Sequence, residues 1–268
     1  MKITTATLDV ADARLHYEVR GDGPLIALIG APMDAEPFNG LADALASDHT
    51  VLTADPRGIR RSTLLDSTAD STAEQRANDL AALVRHVDAG AAIVLGSSGG
   101  AVTALAFAQD HPELTATVIA HEPPLITLLD DAAGQRRMTE EMIAVYGSGD
   151  VVGAWERFFR QATIDVPPGM LQEIFGGDRD PQTVADEAYW FFHEYRASVY
   201  WAPRVDLLRA GAPIIVGIGA ESAGQLCERT ATALADLLDI APERFPGDHT
   251  GFVEHPAEFA ERLRRVTA

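Results

Sequence analysis

Five residues, Gly96-Ser97-Ser98-Gly99-Gly100, lie between an apolar run at residues 92–95 and a helix-like stretch at 101–108. The pattern is Gly-x-Ser-x-Gly at a point where a strand turns into a helix. Ser98 then occupies a sharp turn whose strained backbone accepts only small flanking residues. Its hydroxyl stands exposed above the sheet, at a helix N-terminus whose dipole favours negative charge. No lysine follows the glycines, so a phosphate-cradling loop is not indicated. A serine hydroxyl at neutral pH needs an adjacent base, usually an imidazole oriented by a carboxylate. Eight histidines compete for that role. His16 falls in an early hairpin, His49 and His111 in loops before strands, and His86 on a helix, all positions that read as structural or solvated. His193 lies in an aromatic segment where it can touch a substrate or pack. His255 precedes Pro256 at a helix start, and His249 sits in a Gly-Asp-His-Thr-Gly loop before the last helix.

The elements that must position these groups are legible in the hydropathy. Residues 25–29 form a continuous apolar run closed by Gly30, as expected of a strand buried on both faces, and the signature recurs at 51–54, 92–95, 117–120 and 213–218. Helical patterns separate the runs at 38–46, 72–87, 101–109, 230–238 and 257–266. Alternating strands and helices predict an α/β fold, with a mostly parallel central sheet flanked by helices and joined by right-handed crossovers. Segments 5–10 and 13–19 alternate polar with apolar and have no helix between them, which predicts an antiparallel hairpin at one edge. The alternation stops after Pro123-Pro124. Residues 125–205 read as helices at 131–146, 151–162, 169–175 and 181–200, rich in aromatic side chains. The expected organisation is a core of residues 1–124 and 206–268 with a helical cap, 125–205, inserted between them.

Composition bounds the function. Hydrophobic residues make up 47% of the 268, enough for a packed core. Acids outnumber bases 40 to 21, a net charge of -19, which argues against nucleic-acid and anionic-membrane partners. The insertion holds 13 acids and 7 bases against 27 and 14 elsewhere, so the charge is diffuse rather than gathered over one mouth. Cys227 is the single cysteine, which excludes an internal disulfide and a zinc site built on several thiolates. No run approaches the ~18 apolar residues of a membrane span, and the N-terminus lacks the apolar stretch of a signal peptide. A cytoplasmic protein is expected.

Taken together, these motifs resemble the α/β-hydrolase fold superfamily over nearly the whole chain. Gly21-Asp22-Gly23-Pro24 is similar to the family's lead-in to a buried strand, and Asp55-Pro56-Arg57-Gly58 to its D-x-R-G turn. Residues 96–100 match the nucleophile elbow, and Phe245-Pro246-Gly247-Asp248-His249 the segment that delivers a histidine. The resemblance implies a triad in the order Ser, acid, His, with Ser98 as nucleophile and His249 as base. Family members carry the acid after the strand at 213–218 or after the preceding strand. The first location reads Gly217-Ile218-Gly219-Ala220-Glu221-Ser222, without the usual Asp near Ser222; the second reads Ala120-His121-Glu122-Pro123-Pro124. Glu122 is favoured, because a side chain one methylene longer than Asp suits reaching across from the neighbouring strand; Glu221 is the alternative. The oxyanion hole is expected from the N–H groups of Gly99 and Ala31, since Pro32 has none to give. Asp34 lies close by and is expected to point to solvent. Where the family often has His-Gly, this chain has Ile29-Gly30.

The expected function is a serine hydrolase acting on a carboxylic ester, lactone or thioester of a small, mainly apolar molecule. Met33, Trp155, Phe159, Trp190 and His193 are expected to line the substrate pocket. The partner is a small-molecule substrate, neither a metal nor an organic cofactor is implied, and a homodimer is compatible with the sequence. Serine at the elbow argues against the haloalkane dehalogenase and epoxide hydrolase branches, which need a carboxylate there. Two alternatives remain: another Ser/His chemistry on the same fold (carbon–carbon bond hydrolysis, perhydrolysis, cyclisation or elimination), or a small-molecule binder that has lost catalysis.

Overall fold

The computed structural model describes residues 2–268. Its strands are β1 (Ile3–Asp9), β2 (Ala13–Arg20), β3 (Leu25–Ile29), β4 (Thr50–Ala54), β5 (Thr63–Leu64), β6 (Ala92–Ser97), β7 (Thr115–His121), β8 (Ile214–Gly219) and β9 (Glu243–Phe245). They form one sheet in the order β1-β2-β4-β3-β6-β7-β8-β9, with β5 paired to β2. β1 and β2 are the antiparallel hairpin that the polar-apolar alternation predicts, and β2 also meets β4 antiparallel. Every pairing from β4 through β3, β6, β7 and β8 to β9 is parallel.

The apolar runs are two-sided because the sheet is covered on both faces. Leu25, Ala27 and Ile29 of β3 join one core, with Val94 of β6 and Val118 of β7; Ile26 and Leu28 join the other, with Leu95 and Ile119. The period of two thus divides each strand between two helical layers. The first layer is α2 (Ala73–Val87), α3 (Gly99–Asp110), α9 (Val205–Ala210) and α10 (Leu226–Leu238); the second is α1 (Asn39–Leu45), α11 (Gly251–Glu254) and α12 (Pro256–Val266). α2 starts where a capping box forms: Thr72 accepts from the backbone N–H of Gln75, and the Gln75 side chain accepts from that of Thr72. α3 is buried from Gly99 to Gln109, which accounts for its being apolar all round.

The inserted residues fold as α4 (Ala132–Gly147), α5 (Val151–Ala162), α6 (Met170–Phe175), α7 (Pro181–Tyr189) and α8 (Tyr195–Val199), packed around Met142, Ile143, Tyr146, Trp190, Phe191 and Tyr195. The single helix expected at 181–200 is interrupted. A π-turn, Trp190–Glu194, separates α7 from α8 and rotates α8 relative to the continuation of a regular helix. Among the described residues no helix is long and apolar enough to cross a membrane.

Candidate active site

Ser98 comes directly after the last residue of β6 and precedes α3, with φ 56° and ψ −124°. A non-glycine residue in such a conformation costs on the order of 1–3 kcal/mol, so its surroundings must impose it. They do so by closeness. A Cβ on Gly96 would collide with the carbonyl of Gly100, one on Gly100 with the carbonyl of Ile29, and one on Gly99 would sit 2.5 Å from the carbonyl oxygen of Ala31. The small residues of the elbow are therefore what lets β6, α3 and the loop after β3 meet at one point. The Ser98 N–H donates to the carbonyl of His121 at 3.0 Å, tying the elbow to the end of β7.

Glu122 is the next residue along that strand, and it too has a left-handed backbone, φ 51°. Its side chain is fully buried. One carboxylate oxygen accepts the backbone N–H of Gly219 at 2.8 Å and the other lies 2.5 Å from Nδ1 of His249. Burial alone would raise the pKa of this carboxyl. The hydrogen bond and charge of His249, with His121 behind it, reverse that effect and bring it down to about 2. An ionised carboxylate only accepts, so in this contact Nδ1 carries the proton. Glu221, the alternative acid, is exposed, and its backbone N–H donates to the carbonyl of Gly247.

His121, which no motif singles out, proves to be part of this cluster. Its ring is completely buried, stacks 6.4 Å from that of His249, and lies 3.2 Å through Nδ1 from the Ser97 hydroxyl. Burial pushes its pKa down to about 4, so it is neutral at pH 7. A histidine at the end of an apolar strand run is the signal that could have found it.

Ser98, Gly99, Ala31 and His249 all border one cavity of about 350 Å³. Ala31 begins the loop after β3, and that loop is held in place by the D-x-R-G turn. Buried Asp55 accepts the N–H of Ala35 at 3.0 Å and is gripped by the Arg61 guanidinium at 2.7 and 2.9 Å. Arg57 of the same turn makes paired bonds to Asp79 at 2.7 and 2.8 Å. Asp34 does not point freely to solvent as expected. It is largely covered, and its carboxylate accepts from Arg60 at 2.8 Å, which neutralises it near the loop.

The inserted helices supply the apolar wall. Trp155, Phe159 and Trp190 line the cavity as the aromatic content predicts, joined by Phe158 and Tyr195. Met33 borders instead an adjoining outer space of about 770 Å³, which shares Pro32, Trp155, Trp190 and Thr250 with the inner one. His193 corrects the expectation for the pocket. Lying in the π-turn, it borders neither space; its Nδ1 sits 3.0 Å from Asp70 and its ring stacks on Tyr189. Gln225, Leu226 and Cys227 at the start of α10 also line the inner cavity and were missed, although helix starts after strand ends converge on the site in any sheet of this type. Desolvation raises the pKa of the half-buried Cys227 thiol, which disfavours its thiolate. Among the described residues no group of three or more His, Cys, Asp or Glu is arranged to hold a metal ion.

Comparison with known proteins places the chain in a family. Residues 23–143 match the family described as alpha/beta hydrolase fold. An uncharacterised hydrolase of Bacillus subtilis (strain 168), YraK, is 31% identical over 98% of this chain and 96% of its own. The chain belongs to the α/β-hydrolase fold family. Another relative, the zearalenone hydrolase of Bionectria ochroleuca, is 24% identical over 94% of this chain and 93% of its own. Among solved structures, E-2-(acetamidomethylene)succinate hydrolase superposes with a TM-score of 0.69 at 21% identity, covering all of both chains, and so shares the α/β-hydrolase fold.

Proposed function

We propose that the protein is a serine hydrolase that cleaves a carboxylic ester, lactone or thioester of a small, mainly apolar molecule through an acyl-enzyme. The observation that carries this is the 2.5 Å contact between Glu122 and Nδ1 of His249, with His249 and Ser98 on the wall of one apolar cavity. The free Nε2 takes the Ser98 proton as Oγ attacks the carbonyl, and Glu122 stabilises the imidazolium that forms. The N–H groups of Gly99 and Ala31 receive the charge on the oxyanion, and the helix dipole of α3 adds to them. His249 then returns the proton to the leaving oxygen or sulfur, and a water activated by the same imidazole releases the acyl group. In this reading residues 125–205 act as a cap over the site, and their aromatic wall selects an apolar substrate. The relative named as a zearalenone hydrolase is in keeping with a hydrolytic role.

The test is a fluorophosphonate probe, which labels an activated serine. Stoichiometric labelling of the wild-type protein, absent in Ser98→Ala, is the expected result. A folded wild-type protein that takes up no probe overturns the proposal.

A further inference from the structure

A buried cation lies behind the cavity wall with no bonded carboxylate. Arg76, on α2, is 3% exposed, and each of its guanidinium nitrogens is engaged. Nε donates to the Thr103 hydroxyl at 2.9 Å, Nη1 to the carbonyl and hydroxyl of Ser71 at 2.7 and 3.1 Å, and Nη2 to the Ser198 hydroxyl at 2.9 Å. All four acceptors are neutral oxygens. The nearby carboxyl of Glu194, in the π-turn, is buried with both oxygens unpartnered and makes no hydrogen bond to it.

Of these acceptors only Ser198, on α8, borders the inner cavity. One lone pair of its oxygen is taken by Arg76, and among the described residues no protein acceptor takes its own proton. A hydroxyl in that state keeps its proton, together with one lone pair, and the proton is free to be donated toward the cavity. The guanidinium on its lone pair polarises the O–H, as hydrogen bonds in a chain strengthen one another. Gln225 also reaches the cavity, but no protein group fixes its amide among the described residues. The rest of the wall away from the elbow is dominated by Trp155, Phe158, Phe159 and Trp190.

We propose that Ser198 is a substrate-recognition residue, held by Arg76, whose hydroxyl donates to an oxygen acceptor carried by the substrate away from its scissile carbonyl. The substrate class is thereby narrowed to an apolar ester, lactone or thioester with a second carbonyl, ether or hydroxyl oxygen. A cavity of roughly 150 Å³ holds benzene, so the 350 Å³ here has room for two fused rings bearing that oxygen. Naming the bound molecule as a substrate rests on the hydrolase proposal; the recognition of its oxygen does not.

Two matched bicyclic ligands separate the two claims, because neither is hydrolysed: tetralin, a hydrocarbon, and 2-tetralone, which adds one ketone oxygen. Their binding is read by quenching of Trp155 and Trp190 fluorescence. The wild-type protein is expected to bind 2-tetralone about tenfold more tightly than tetralin, the worth of one hydrogen bond from a polarised hydroxyl set against the ketone's hydration. Ser198→Ala is expected to erase that preference while leaving tetralin affinity within about twofold. Ser198→Cys, which keeps the volume and replaces a strong donor by a weak one, is expected to reduce it severalfold, and decides the matter if the alanine variant does not fold. A wild-type protein without preference, or a preference undiminished in the variants, overturns the proposal. Fluorophosphonate labelling is scored separately: its failure with the ketone preference intact removes the hydrolase reading and leaves the recognition standing.

Discussion

Glu122 and His249 lie 127 positions apart in the chain and 2.5 Å apart in the fold, each delivered by the carboxyl end of a strand on the same side of the sheet. The carboxylate fixes the imidazole tautomer as well as its orientation, so the two effects should fail together. Glu122→Gln, which keeps the shape but also offers N–H donors, is expected to lower kcat by roughly 10³ to 10⁴. Glu221→Ala should stay within about twofold of the wild type. Steady-state hydrolysis of a nitrophenyl ester measures both, and a larger loss from Glu221→Ala would show that the acid sits elsewhere.

The elbow makes a second prediction, in which two neighbouring glycines behave differently. A Cβ on Gly100 meets the backbone of β3 at Ile29, whereas one on Gly99 meets the carbonyl of Ala31, at the edge of the proposed oxyanion site. Gly100→Ala is expected to destabilise the fold by about 2–4 kcal/mol, a small-to-large clash against backbone that cannot yield. Gly99→Ala should leave a folded protein whose kcat falls by about 10² to 10³ as the two N–H donors are pushed apart. Urea unfolding and kcat on the same preparations distinguish them, and equal stability losses would contradict the assignment.

Much of this arrangement was legible in the sequence, for reasons that differ by residue. Ser98 was visible because a strained elbow between a strand and a helix admits few residues, and the small flanking positions announce it. The strands were visible because burial on both faces leaves nothing strongly polar in β3 or β4. Glu122 was harder: a carboxylate at a strand end can cap a loop or orient a base, and only the third dimension brings Gly219 and His249 onto it. The π-turn at Trp190–Glu194 was invisible, since an extra residue in a helical turn has no hydropathy signature. It turns His193 outward, and Tyr195 and Ser198 beyond it line the cavity. Asp34 was misjudged because its partner, Arg60, arrives from a separate loop.

Acid sensitivity arises from His121 and Glu122, in two windows. His121 resists protonation in the folded state until about pH 4, against an ordinary value of 6.5, so the unfolded chain binds the proton first and stability falls as pH drops from 6.5 to 4. Glu122 has its pKa lowered from 4.5 to about 2, so its contribution is complete above pH 4.5 and is lost as pH falls from there to 2. His121→Phe removes the first window and adds an apolar ring beside Phe245, Phe252 and Phe259. The stability difference between pH 7 and pH 4.5 should shrink by about 2 kcal/mol in this variant, within the ~3 kcal/mol that such a shift can supply. Parallel pH dependence of the two proteins in urea denaturation would count against it.

Glu187 organises the wall between the inner cavity and the outer space. Nearly buried, it accepts from the Tyr146 hydroxyl at 3.0 Å, from the Trp155 indole N–H at 2.7 Å, and from both terminal nitrogens of Arg179 at 2.8 Å. Trp155 in turn stacks on Trp190 and Phe175, with centroids 5.4 and 4.3 Å away. The two ends of the ion pair are therefore unequal. Glu187→Ala leaves three donor groups without their acceptor and frees Trp155, so it is expected to cost about 2–4 kcal/mol and to raise KM about tenfold for a bulky ester, with kcat changed less than about threefold. Arg179→Ala leaves the carboxylate with two hydrogen bonds and partial access to water, and should cost less than half as much. The same urea titrations and a KM series on acyl groups of increasing size measure both variants. A Glu187→Ala protein with unchanged KM would mean that Trp155 is held by stacking alone.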